Sequence, residues 1–108
     1  MTNVSQAIAA LGEPTRRAVF EGLVNGPRAV GDLAGDLPVS RPAVSQHLKV
    51  LKEAGLVSDR QVGTRRLYQV DPQALADLRA YFDQFWDQSL AAFRAAAEQP
   101  EEPDHAAG

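Results

Sequence analysis

A mainly α-helical chain with one small β-hairpin, in the order α-α-α-α-β-β-α, is what these 108 residues predict. Three observations carry that reading. A capped amphipathic helix fits SRPAVSQHLKVLKEAGLV from Ser40 to Val57, two β-compatible runs meet at Gly63-Thr64, and a long half-apolar helix follows Asp71-Pro72. The first two in succession are a helix-turn-helix with a wing. An apolar content of 44% in a chain this short allows one domain with a small core, placed at residues 1–97.

Val4, Ile8 and Leu11 recur at helical spacing, so Asn3 to Leu11 is expected to be a short helix ending at Gly12. Pro14 opens a second helix whose Val19, Phe20, Leu23 and Val24 face inward, and Asn25-Gly26-Pro27 stops it. Ala29 to Leu37 is a weaker third helix: its glycines, Gly31 and Gly35, each cost about 1 kcal/mol relative to alanine, so tertiary packing must hold it. Pro38-Val39 makes the tight turn before the fourth helix.

Ser40 is suited to cap that fourth helix, and Pro42 fits its first turn, where no backbone donor is needed. At about 100° per residue, Val44, Leu48 and Leu51 share one arc, with Ala43, His47 and Val50 beside it. Arg41, Ser45, Gln46, Lys49, Lys52 and Glu53 fill the other arc. Gly55 supplies the left-handed residue that ends a helix. The outward arc combines forked and small polar groups with positive charge, the chemistry of a helix that enters a major groove.

The pattern then changes period. Val57 to Val62 and Arg65 to Val70 are expected strands joined by a glycine-tipped turn, with Arg60, Arg65 and Arg66 flanking the tip. The last helix runs from Pro72 to about Ala97, with Leu75, Leu78, Tyr81, Phe82, Phe85, Trp86, Leu90 and Phe93 in one half of its wheel. At about 1.5 Å per residue it approaches 40 Å, more than a domain this small covers from one side, so a partner surface is inferred and a twofold homodimer expected. From Glu98 the Glu, Pro, Asp, Ala and Gly composition predicts a disordered acidic tail over residues 98–108.

The net charge of −3 is unevenly placed. From Met1 to Val70, nine basic residues face six acidic ones, a balance of +3; from Asp71 onward, two face eight, a balance of −6. Because attraction to phosphates is screened beyond roughly 10 Å, the local sign decides, and the basic part holds the groove-reading helix. Absence of cysteine removes disulfides, thiolate metal sites and thiol redox sensing. There is neither a signal-like N-terminus nor a run of about 18 apolar residues, so a cytoplasmic protein without membrane attachment is expected.

With these residues in view, the chain resembles the ArsR family of bacterial winged-helix transcriptional repressors. The matching pieces are ALGEPTRRAVFEGL (Ala10 to Leu23), VGDLAGDL (Val30 to Leu37), SRPAVSQHLKVLKEAGLV, and GTRRLYQVDP (Gly63 to Pro72). The resemblance implies a homodimer joined by its first and last helices, an operator bound through the fourth helix and the wing, and release by an inducer. Metal-sensing members carry cysteines in the third helix or acid and histidine ligands in the last. Here the third helix has no cysteine and no histidine lies between Pro72 and Ala97, so arsenic, zinc, cadmium and redox sensing are rejected.

The DNA-binding candidates are therefore Ser40, Arg41, Pro42, Ser45, Gln46 and Lys49 on the helix, and Arg60, Arg65 and Arg66 on the wing. Arg41 suits guanine and Gln46 adenine, each with about 1 to 3 kcal/mol of discrimination. Ser40 has two open roles, cap alone or cap and phosphate contact; the wing arginines enter the minor groove or neutralise phosphates. Arg16 and Arg17 are weaker candidates for the DNA backbone, because a helix N-terminus favours anions. His47 falls on the inward arc and reads as a packed, hydrogen-bonded structural histidine, while His105 in the tail is given no role. Asp83 and Asp87 read as solvated carboxylates rather than a hard-cation site.

The dimer candidates are Val4, Ile8, Leu11, Leu78, Phe82, Phe85, Trp86, Leu90 and Phe93. No catalytic constellation stands out, so neither an enzyme nor a cofactor is expected. The reading is a sequence-specific repressor that binds an inverted-repeat operator as a homodimer and is released by a non-metal inducer, with a small apolar inducer placed between the first, second and last helices. The alternative is a winged-helix interaction module that recruits another protein through its aromatic C-terminal helix.

Overall fold

A computed structural model describes residues 3–99 and contains the seven expected elements in the expected order. They are α1 (Val4–Gly12), α2 (Pro14–Glu21), α3 (Val30–Asp36), α4 (Arg41–Glu53), β1 (Val57–Val62), β2 (Arg65–Val70) and α5 (Pro72–Glu98). The architecture is a winged helix-turn-helix. The acidic tail expected from Glu98 lies, beyond Gln99, outside the described residues.

Residues through Leu78 form one compact unit. Its core is a single apolar cluster to which every helix contributes: Ala7 and Ala10 from α1, Val19 and Phe20 from α2, Leu33 from α3, Val44, Leu48 and Leu51 from α4, and Ala74 and Leu78 from α5. Leu23, Ala54, Leu56 and Val57 complete it from the connections and the first strand. Val24 departs from the expected inward set. Helical geometry ends at Glu21, so the periodicity that aligned Val24 with Val19 no longer applies, and Val24 is 56% exposed.

The helix ends are closed by side chains. Asn3 Oδ1 accepts from Gln6 N at 3.1 Å and caps α1. Glu13 caps α2, accepting from Thr15 N at 3.1 Å and Arg16 N at 2.7 Å. Arg16 and Arg17 donate to the carbonyls of Ala10 and Leu11 at 3.3 and 3.2 Å, satisfying acceptors at the C-terminal end of α1 that have no helical partner. That is the observed work of two arginines weighed as contacts to the DNA backbone.

β1 and β2 pair antiparallel, with Val57 opposite Val70 and Val62 opposite Arg65, which leaves Gly63-Thr64 as a two-residue loop. Gly63 has φ +62° and Thr64 is not left-handed, a combination that places glycine at the first central position of the turn. The wing also has a third rung. Arg28 and Tyr68 exchange both backbone hydrogen bonds, at 2.9 and 2.8 Å, joining the segment before α3 to β2.

The second unit begins at Arg79 and contains the remainder of α5. Tyr81 meets Phe82 and Phe85 edge to face, with ring centroids 5.5 and 4.9 Å apart. Phe82, Phe85, Trp86, Leu90 and Phe93 are all exposed, Trp86 to 69% and Phe93 to 72%.

Candidate nucleic-acid interface

The helix α4 is two-sided in the way its sequence requires. Ser40 Oγ accepts from Ala43 N at 3.3 Å, so the cap role is realised, and Pro42 sits in the first turn. Val44, Leu48 and Leu51 have no solvent exposure at all, which fixes the rotation of the helix about its axis. Arg41, Pro42, Ser45, Gln46 and Lys49 are exposed on the other side. Gly55, at φ +80°, ends the run, and Leu56 and Val57 return to the core.

His47 lies on the flank, its side chain 19% exposed, in a crevice of about 510 Å³ shared with Pro14, Thr15, Ala18, Val39 and Ala43. It is packed as expected, but among the described residues its buried Nδ1 has no hydrogen-bond partner, and Glu13 Oε2 lies 3.9 Å away. The two amide donors of Arg16 and Thr15 hold the Glu13 carboxyl below its ordinary value, with a smaller contribution from His47.

The three wing arginines are exposed but not equivalent. Arg66 Nη1 lies 2.7 Å from Asp59 Oδ2, and Lys52 Nζ lies 2.7 Å from Asp59 Oδ1. The Asp59 side chain is only 8% exposed, and hydrogen bonds from Lys52 and then Arg66 hold its carboxyl below the ordinary 3.8. This bridge ties the last turn of α4 to both strands of the wing. Arg65 instead pairs with the exposed Asp32 of α3. Arg60 has no salt bridge among the described residues.

Arg41 and α3 also meet closely. A Cβ on Gly31 would stand 3.2 Å from Arg41 Nη2, so the missing side chain makes room for the guanidinium. Residues 29–32, Arg41 and residues 64–66 line one notch of about 410 Å³. Sequence periodicity marks α4 and the wing separately; it carries no signal that Asp32 and Asp59 pair with Arg65, Lys52 and Arg66 or that Gly31 leaves room for Arg41, because these contacts join positions distant in the chain.

Of the dimer candidates, Leu78 is 8% exposed and its apolar area is already used in the protomer core; Val4 and Leu11 are partly buried against it. Ile8 and the aromatic residues of α5 keep theirs exposed. The crevice at the first helices is lined by α1, α2 and α4 through Gln6, Ala10, Arg16, Val50 and Glu53, not by the last helix, and measures about 310 Å³. Among the described residues, no group of three or more His, Cys, Asp or Glu side chains could hold a metal, and no helix is long and apolar enough to cross a membrane.

Residues 13–59 match the model of the bacterial regulatory protein, arsR family. The chain is 61% identical over 88 residues to the HTH-type transcriptional regulator Rv2034 of Mycobacterium tuberculosis, a match covering 82% of each chain. Its fold is similar to an ArsR-like transcriptional regulator from Rhodococcus sp. RHA1, with TM-score 0.75 and 31% identity over 90% of this chain and 94% of that one. It is also similar to the homodimeric winged helix-turn-helix DNA-binding domain of Mb0332 from Mycobacterium bovis, with TM-score 0.61 and 27% identity over 92% and 87% of the two chains.

Proposed function

The chain belongs to the arsR family of bacterial regulatory proteins and is a transcriptional regulator, not an enzyme, and from that premise we propose that it is a repressor that binds an inverted-repeat operator as a homodimer. The observation that carries this reading is the division of α4. Buried Val44, Leu48 and Leu51 set the helix so that Arg41, Ser45, Gln46 and Lys49 stand outward together. Gln46 reads an adenine edge, Arg41 a guanine edge or a phosphate, and Ser45 and Lys49 the neighbouring groups. Ser40 and Pro42 set the start of the helix, and Arg60, Arg65 and Arg66 bring the wing to the DNA backbone.

A second copy is the natural cover for the exposed Phe82, Phe85, Trp86, Leu90 and Phe93, joined by Val4, Ile8 and Leu11 of the first helix; the homodimeric relative supports that choice. Twofold symmetry then puts the two α4 helices about one DNA turn, roughly 34 Å, apart in successive major grooves. The inducer is a small molecule rather than a metal, since neither thiolates nor clustered histidines are at hand, and it acts by binding the free dimer more tightly than the DNA-competent one.

Fluorescence anisotropy with the promoter of the protein's own operon tests the reading. Specific binding at moderate salt, unchanged by zinc or by a chelator, is expected. Affinity no greater than for random duplex overturns it, and capture of a different protein by the α5 face in place of self-association favours the interaction-module alternative.

A further inference from the structure

We propose that the notch between α3, the start of α4 and the wing seats one phosphate of the DNA backbone, and that the Asp32 carboxylate holds that place in the free protein. This rests on the regulator reading and adds a site and a brake to it. The notch is lined by Gly31, Asp32, Arg41, Thr64, Arg65 and Arg66 and measures about 410 Å³; the guanidinium groups of Arg41 and Arg65 lie at Gly31 and Asp32, with that one carboxylate between them, while the guanidinium of Arg66 is held by Asp59. Its local charge is positive even with Asp32 in place.

The two wing ion pairs show which arginine is available. Arg66 shares Asp59 with Lys52, and that carboxylate is 8% exposed, so drawing Arg66 away would leave one oxygen of a nearly buried anion without its cation. Arg65 and Asp32 are 57% and 52% exposed, and an ion pair that open to water is weak. A phosphodiester carries the same single charge as Asp32 and offers two oxygens to the same guanidinium fork. Exchanging one for the other therefore costs Arg65 little. Arg41, whose guanidinium lies beside Gly31, supplies further donors at the wall of the notch.

Asp32 thus sets the affinity for DNA of any sequence without touching a base. It does so by keeping Arg65 folded back along α3 until the exchange occurs.

The test is a cycle with Asp32→Asn and Arg65→Gln in the full chain, read by anisotropy on a scrambled duplex across a salt series. Asp32→Asn is expected to tighten binding about threefold to tenfold and to steepen the slope of log K against log salt by about 0.9, the value for one added phosphate contact. In the Arg65→Gln background that gain is expected to vanish. No gain from Asp32→Asn, or an equal gain with and without Arg65, overturns the proposal. Because the scrambled duplex reports the notch and the operator-to-scrambled ratio reports the regulator, the two readings fail separately. A second arm follows the Arg65 side-chain amide signals by NMR. A shift with duplex but not with orthophosphate at equal ionic strength supports a backbone phosphate; a shift with orthophosphate and none with duplex assigns the notch to a free anion and overturns the proposal.

Discussion

Lys52, in the last turn of α4, places its Nζ 2.7 Å from Oδ1 of Asp59 in the first wing strand. The pair couples the outward helix to the wing. A carboxyl whose pKa is depressed on folding contributes stability above its ordinary value, and that contribution is lost as pH falls through the lower, folded one. Asp59 is held below 3.8 by Lys52 and Arg66, so its share is present at neutral pH and disappears only in acid. Urea denaturation at pH 7 should show Asp59→Asn less stable by about 1 kcal/mol, discounted for the solvent around both cations. Between about pH 5 and pH 3 the variant should lose stability less steeply than the wild type, with Glu13 accounting for part of the remaining decline. Parallel curves for the two proteins would show that the bridge is not a stabilising contact.

Leu48 has no exposed surface and lies at the centre of the inward face of α4. Leu48→Ala removes apolar contacts and leaves a cavity, a change that costs about 2 to 5 kcal/mol in comparable sites. Against total stabilities of about 5 to 15 kcal/mol for small domains, this is a large share. Equilibrium denaturation should therefore show a much lower midpoint with α4 losing its docking. A change under 1 kcal/mol would mean that Leu48 does not anchor the helix.

Trp86 and Phe93 expose 69% and 72% of their surface in the single chain. Replacing both with Glu removes no protomer core, so helix content by circular dichroism should persist while sedimentation equilibrium reports a monomer in place of a dimer. A wild-type monomer, or a double variant that still dimerises, contradicts the assignment of this face.

The elements were legible because their signals are local. Ser40, Pro42 and Gly55 bound α4, the alternation around Gly63 marks the hairpin, and a core side chain every three or four residues gives the helices their inward faces. Periodicity puts Val24 on the inward face because it does not announce that a helix has already ended at Glu21. The missed contacts are those between distant segments. Arg16 and Arg17 reach back six residues to the end of α1, Arg28 bridges to Tyr68, and Asp32 meets Arg65. Each depends on how packed elements meet, and a charged side chain looks the same in sequence whether it faces a phosphate, a carbonyl or a carboxylate. Leu78 illustrates the same limit for apolar residues, since its place on the α5 wheel does not distinguish a protomer core from a partner surface.

Whether α4 reads bases is decided most directly by the ratio of operator to scrambled-duplex affinity in the wild type and in Gln46→Ala, measured by anisotropy at one fixed salt concentration. Gln46 is exposed and free of any role in the core, so its truncation should leave the fold and the scrambled-duplex affinity unchanged. The wild type should prefer operator by about a thousandfold or more, and Gln46→Ala should narrow that preference by about 1 to 3 kcal/mol, with relaxed choice at one base pair. Equal affinity of the wild type for both duplexes, or an equal loss on both in the variant, would contradict base reading by this helix.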